Sequence, residues 1–91
     1  MKAQKKPVVI DYFEINNNTT TEQISEWISS FNQKFDEHFD DNGEILKVKT
    51  LEGTSYDVTT NDVIIRGVKG EYYPCKKDIF EQTYDKINYG I

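Results

Sequence analysis

Between residues 19 and 39 the chain places apolar side chains at intervals that only a helix gathers onto one side. Ile24, Trp27, Ile28, Phe31 and Phe35 recur every three or four residues, while Glu22, Ser25, Glu26, Ser29 and Ser30 take the opposite side. Two overlapping start signals precede the stripe. Thr19 with Glu22, and Thr20 with Gln23, each fit the pattern in which a hydroxyl and a carboxyl or amide satisfy unpaired backbone donors reciprocally. Phe39 continues the stripe, so the spacing predicts one long amphipathic helix ending near residue 39, where Asp41-Asn42-Gly43 stops it. Rings and branched chains on one face demand cover, and we read the stripe as core rather than as a partner-binding face.

The cover has to come from strands. Pro7 to Ile15 is rich in β-branched and aromatic residues, with Asp11 the one charge in its middle and Glu14 near its end, and reads as an N-terminal strand buried on most of both faces. Residues 44 to 85 read as an antiparallel β-meander. Leu46, Val48 and Thr50 alternate with Lys47, Lys49 and Leu51; Glu52-Gly53 turns into Thr54 to Val58; Thr60-Asn61-Asp62 turns into Val63 to Val68; Lys69-Gly70 turns into Glu71 to Cys75. Pro74 suits an edge strand or its end, Gly70 a positive φ at the turn, and Gly67 a bend or close approach. Asp78, with Glu81 three residues on, is placed to cap a short closing helix whose buried stripe is Phe80, Tyr84 and Ile87. The expectation is an α+β fold in a single domain, residues 1–91: strand, long helix, small meander, short C-terminal helix.

Aromatic residues make up 13% of the chain, and so few large rings bury enough area for a compact core despite a mean hydropathy of -0.72. No stretch approaches the roughly 20 apolar residues of a membrane span, and Val8 to Ile10 is too short for a secretion signal. With a single cysteine, no internal disulfide is available. We therefore expect a protein of the cytoplasm, without membrane attachment. Net charge is -5, which disfavours general nucleic-acid binding. The charge is uneven. Residues 14 to 44 hold eight acids against Lys34 alone, whereas residues 64 to 77 hold Arg66, Lys69, Lys76 and Lys77 against Glu71.

Three kinds of chemistry can be weighed. Cys75 stands before Lys76, Lys77 and a helix start, all features that lower a thiol pKa, but His38 is the only histidine and nothing in the sequence ties it to Cys75. A cysteine-dependent enzyme is therefore the weakest reading, and no catalytic residue is assigned. The stretch HFDDNGEILKVK sets its glycine where a calcium loop wants one, yet puts histidine first and lysine twelfth, so no metal and no cofactor is expected. The G-x-x-G of IIRGVKGE follows β-branched residues rather than a helix, which contradicts a nucleotide-clamping loop.

Two surfaces remain. Asp36, Glu37, Asp40, Asp41 and Glu44 crowd the expected end of the long helix, where carboxylates oppose the dipole and weaken the helix. Such a local cost points to a basic partner surface. The second is a strip of Arg66, Lys69, Tyr72, Tyr73, Lys76 and Lys77. Successive tyrosines face opposite ways, so both are core, or one lies outward as a stacking platform for a small ligand or nucleotide.

KKPVVID, TLEG and DVIIRGVKGEYYPCKKDIFEQTY together resemble small uncharacterised phage and prophage proteins of the type named for a Pro-Gly-Asp-Tyr-Gly turn. The likeness covers Lys5 to Asp11 and Thr50 to Tyr84, with Gly67, Gly70, Glu71, Pro74, Asp78, Phe80 and Tyr84 on its spaced positions. The chain departs from it at Thr60-Asn61, where the pattern has Pro-Gly, and the pattern accepts aliphatic residues at Cys75. The resemblance implies origin and fold, and no activity. Taken together, these readings lead us to expect a non-catalytic phage or prophage accessory protein whose acidic residues engage a host protein with a basic surface, host defence being the natural target. Nothing in the sequence excludes a homo-oligomer.

Overall fold

The computed structural model describes residues 1–4 and 6–87; Lys5, which opens the N-terminal stretch of the resemblance, lies outside the described residues. The elements run β1 (Asp11–Glu14), α1 (Thr21–Ser29), α2 (Phe35–His38), β2 (Phe39–Asp41), β3 (Leu46–Lys49), β4 (Ser55–Val58), β5 (Asp62–Arg66), β6 (Tyr72–Lys76) and α3 (Lys77–Thr83). The fold is α+β. It contains two three-stranded antiparallel sheets, ordered β1-β5-β6 and β2-β3-β4.

The start of α1 follows the second of the two capping patterns. The Thr20 hydroxyl accepts from the Gln23 N–H at 3.2 Å, and the Gln23 amide oxygen accepts from the Thr20 N–H at 3.0 Å. The helix does not reach residue 39, and this corrects the expectation of one long helix. It ends at Ser29, the Ser30 N–H closes on the Glu26 carbonyl, and Asn32 enters the left-handed region at φ 60°. Asparagine tolerates that conformation better than most residues, and the serines before it favour helix ends over interiors. The stripe keeps its partners across the break. Trp27 packs between Phe13, Phe31 and Tyr72 at ring distances of 5.4, 5.7 and 5.6 Å, while Phe35 stacks on Phe39 at 5.3 Å.

The expected meander is divided between the two sheets. β3 and β4 form a hairpin with β2 on its other side, β5 and β6 form a second hairpin, and β4 does not pair with β5. Asp62 makes the corner between them. Its buried carboxylate accepts from the Thr59 N–H at 2.8 Å and the Thr59 hydroxyl at 3.0 Å, and pairs with Lys76 Nζ at 3.1 Å. The strand buried on both faces is β5, not the N-terminal one. Ile64 joins Ile15, Ile24, Ile28, Phe39, Val48 and Tyr72 on one side; Val63 and Ile65 meet Phe80 on the other. β1 is a short edge strand, and Val8 and Val9 ahead of it are exposed. At the far end α3 starts one residue before Asp78, which lies in its first turn without capping it, and Ile87 is exposed beyond the helix.

Removing the corner carboxylate tests this packing. Asp62→Ala leaves the Thr59 donors and Lys76 without their acceptor and is expected to cost about 1–3 kcal/mol of stability in urea unfolding, with Asp62→Asn costing less because it keeps an oxygen.

Candidate functional site

The densest arrangement of polar groups forms around a residue that the sequence did not single out. Gln33 lies in the turn that the αL residue Asn32 opens, and its amide reaches the β5–β6 hairpin. Its Oε1 accepts from Arg66 Nε at 3.0 Å and from the Tyr72 hydroxyl at 2.7 Å, while Nε2 donates to the Gly70 carbonyl at 2.8 Å. His38 Nε2 lies 3.4 Å from the same amide nitrogen, and the His38 ring meets Tyr72 edge-on at 4.9 Å. Arg66 lies over the Phe31 ring at 4.2 Å and reaches Asp11 at 3.8 Å. One amide thus joins the α1–α2 turn, the end of α2, β5, β6 and the β5–β6 turn.

Burial sets the chemistry of this cluster. It pushes the Tyr72 hydroxyl above its ordinary value and lowers the His38 imidazole below 6.5, with Arg66 and Lys49 adding to the histidine shift and Glu37 opposing it. The geometry agrees. A neutral ring can accept at Nε2 from the Gln33 amide, whereas a protonated ring would face one donor with another.

The basic strip is not assembled as one platform. Arg66 and Tyr72 stand opposite each other at one end of the β5–β6 ladder, and Lys76 stands opposite Asp62 at the other, four residues or about 13 Å away. The side chains are also engaged. Lys76 pairs with Asp62, Lys77 Nζ donates to the Ile15 carbonyl at 2.6 Å, and Arg66 is held by Gln33. Neither tyrosine is a free outward ring. Tyr72 is wholly buried in one core cluster and Tyr73 packs against the other, its hydroxyl raised by burial and by Tyr84. Lys69 is exposed in the turn, where its N–H donates to Glu71 Oε1. That same carboxylate occupies the space a Cβ on Gly67 would need, which explains the glycine as a close approach.

Cys75 does not have the environment its neighbours in sequence promised. Burial raises its thiol, and the charges of Asp62 and Asp78 raise it further. It packs with Tyr73 on the α3 side of the sheet, while His38 meets Tyr72 on the opposite side.

The five acids occupy three elements rather than one helix end. Asp36 and Glu37 fall in the first turn of α2, where the dipole favours them, so the inferred helix-weakening cost is absent. Asp40 and Asp41 are on the edge strand β2, and Glu44 is in the following turn. All five are exposed, but Asp41 has a structural task. It accepts from the Thr21 hydroxyl and, at 2.9 Å, from the Gly43 N–H, and these bonds hold its carboxyl below the usual range. None of Asp36, Glu37, Asp40 and Glu44 forms an ion pair among the described residues.

No family model, curated protein or solved structure matches this chain. Among the described residues no helix is long and apolar enough to cross a membrane.

Two outcomes follow from the cluster. Gln33→Ala strands the Arg66 and Tyr72 donors and is expected to cost about 1–3 kcal/mol. Tyr72→Phe should then cost less in that background than in the wild type, a coupling that a double-mutant cycle reads directly. For His38, the unfolded ring binds protons more readily than the folded one. Stability is therefore greatest above pH 6.5, falls as pH drops through 6.5 and levels off below the folded value. Urea midpoints between pH 7.5 and 5.5 should show that slope, and His38→Gln should remove it.

Proposed function

We propose that this chain is a non-catalytic accessory protein of phage or prophage origin that binds a host protein through its acidic face. One observation carries the reading: the asymmetry between the two kinds of charge. Arg66, Lys76 and Lys77 are taken up by internal partners, whereas Asp36, Glu37, Asp40 and Glu44 stay exposed and outside any ion pair among the described residues. A surface of this sign attracts a basic partner and speeds its approach, and close charge pairing then selects the partner and its register. The phage origin rests on the sequence resemblance, and a component of host defence is the target that such an origin favours. The raised Cys75 thiol, with His38 across the sheet, supports a binding role over a thiol mechanism.

The test compares two variants of equal charge. Reversing Asp36, Glu37, Asp40 and Glu44 to lysine is expected to abolish capture of the target from host lysate, and to slow association at low salt by about tenfold or more. Reversing Glu22, Glu26, Asp78 and Asp85, exposed acids elsewhere, should leave capture intact. Equal losses in both variants would mean that net charge alone acts, and the acidic face would lose its role.

A further inference from the structure

A second surface, distinct from the acidic face, carries an independent inference. Between the β3–β4 hairpin and β6 lies an open trough of about 450 Å³, within the size range of binding pockets. Its floor and walls include Leu51, Tyr56, Tyr73 and Pro74, with Glu52 and Glu71 at the rim. Leu51 and Tyr56 are 68% and 44% exposed, large side chains that the fold leaves bare beside this trough.

One wall is an unpaired strand edge. Among the described residues β6 pairs only with β5. The Gly67 N–H meets the Glu71 carbonyl at 2.8 Å and the Lys77 N–H meets the Asn61 carbonyl at 2.9 Å, which fixes the alternation of the ladder between them. Tyr72, Pro74 and Lys76 then direct their backbone groups away from β5. Tyr72 is wholly buried and the Lys76 carbonyl accepts the first bond of α3, so along the trough this edge offers the Pro74 carbonyl, and proline has no N–H to donate. An apolar trough with one open carbonyl and carboxylates at its rim suits a basic segment with a small apolar anchor.

The chain itself contains such a segment. Ahead of β1, Lys6 and Pro7 are followed by Val8 and Val9, which are 47% and 70% exposed, and none of residues 6–9 is in a helix or strand. The segment leaves β1, and β5 stands between β1 and β6 in the sheet. We infer that the trough binds the Lys6–Val9 segment of a second copy of this chain: Val8 or Val9 enters between Leu51 and Pro74, and Lys6 faces Glu52 or Glu71. The contact is small against the roughly 1,200–2,000 Å² of a stable interface, so the association is weak and concentration-dependent.

The probe is a fluorescein-labelled peptide of residues 1–10, titrated with the full chain and read by anisotropy. Saturable binding is expected, at least tenfold weaker for Leu51→Ser and for Glu52→Lys. Both substitutions are at exposed positions in the hairpin turn, so folding is spared. A peptide with Val8→Ser and Val9→Ser should not bind, and the same pair of changes in the full chain should abolish concentration-dependent association in sedimentation velocity. No saturable binding, equal binding of the serine peptide, or indifference to Leu51→Ser would overturn the proposal. So would a trough that takes unrelated basic peptides but not this one. The acidic-face reading stands or falls separately, because Asp36, Glu37, Asp40 and Glu44 are unchanged in every arm.

Discussion

The structure depends on one strand being dry on both sides. Asp62, Val63, Ile64 and Ile65 are each at most 2% exposed, so β5 divides the molecule into two cores that share a backbone. On one side lie α1 and the β2-β3-β4 sheet, and on the other lies α3. Each Ile or Val buried in this way contributes about 1.5–3 kcal/mol relative to exposure. A chain this short cannot supply many such residues. Concentrating them in one central strand lets every other element be amphipathic, which is how a mean hydropathy of -0.72 is compatible with a closed core.

A strand buried on both faces creates a polar problem at its two ends, and the two ends solve it differently. At the Asp62 end a carboxylate is buried against Thr59 and Lys76. At the Arg66 end a neutral amide, Gln33, accepts from the guanidinium and from a tyrosine while donating to a carbonyl. An amide suits this place because it presents donor and acceptor together, and a carboxylate there would have no donor for Gly70. The two solutions explain why cations that looked free in the sequence are spent on the fold. Their charge answers the corners of β5 and leaves the protein's excess of acid at the surface.

How much of this could be read beforehand depended on the range of the interaction. The helix start at Thr19 or Thr20, the turn at Glu52-Gly53 and the positive φ of Gly70 are decided within four residues, and all were legible. The rings of the stripe were legible as core, but the break at Asn32 was hidden because Phe31, Phe35 and Phe39 preserve helical spacing across it. Ser29, Ser30 and Asn32, all weak helix formers, were the available signal. Division into two sheets was not legible, since alternation predicts strands without saying which of them pair. Gln33 left no trace, because its partners lie 33 to 39 residues away and a lone glutamine after a helix reads as solvent-facing.

Two small sheets also leave four edges, and each edge invites unwanted pairing. Pro74 blunts β6, Asp11 and Glu14 flank β1, Asp57 lies on β4, and Asp40 and Asp41 line β2. Guarding an edge accounts for charge but not for its sign, since lysine guards as well as aspartate and is the commoner choice. Along β2 and its flanks the sign is uniform: Asp36, Glu37, Asp40, Asp41 and Glu44 are all acidic, although Lys47 and Lys49 on β3 show that lysine is accommodated next door. Only Asp41 has an internal hydrogen-bond role that demands a carboxylate. The α2 dipole accounts for the sign at Asp36 and Glu37, whereas at Asp40 and Glu44 edge protection alone leaves it unexplained, and it is there that the proposed basic partner would supply a reason.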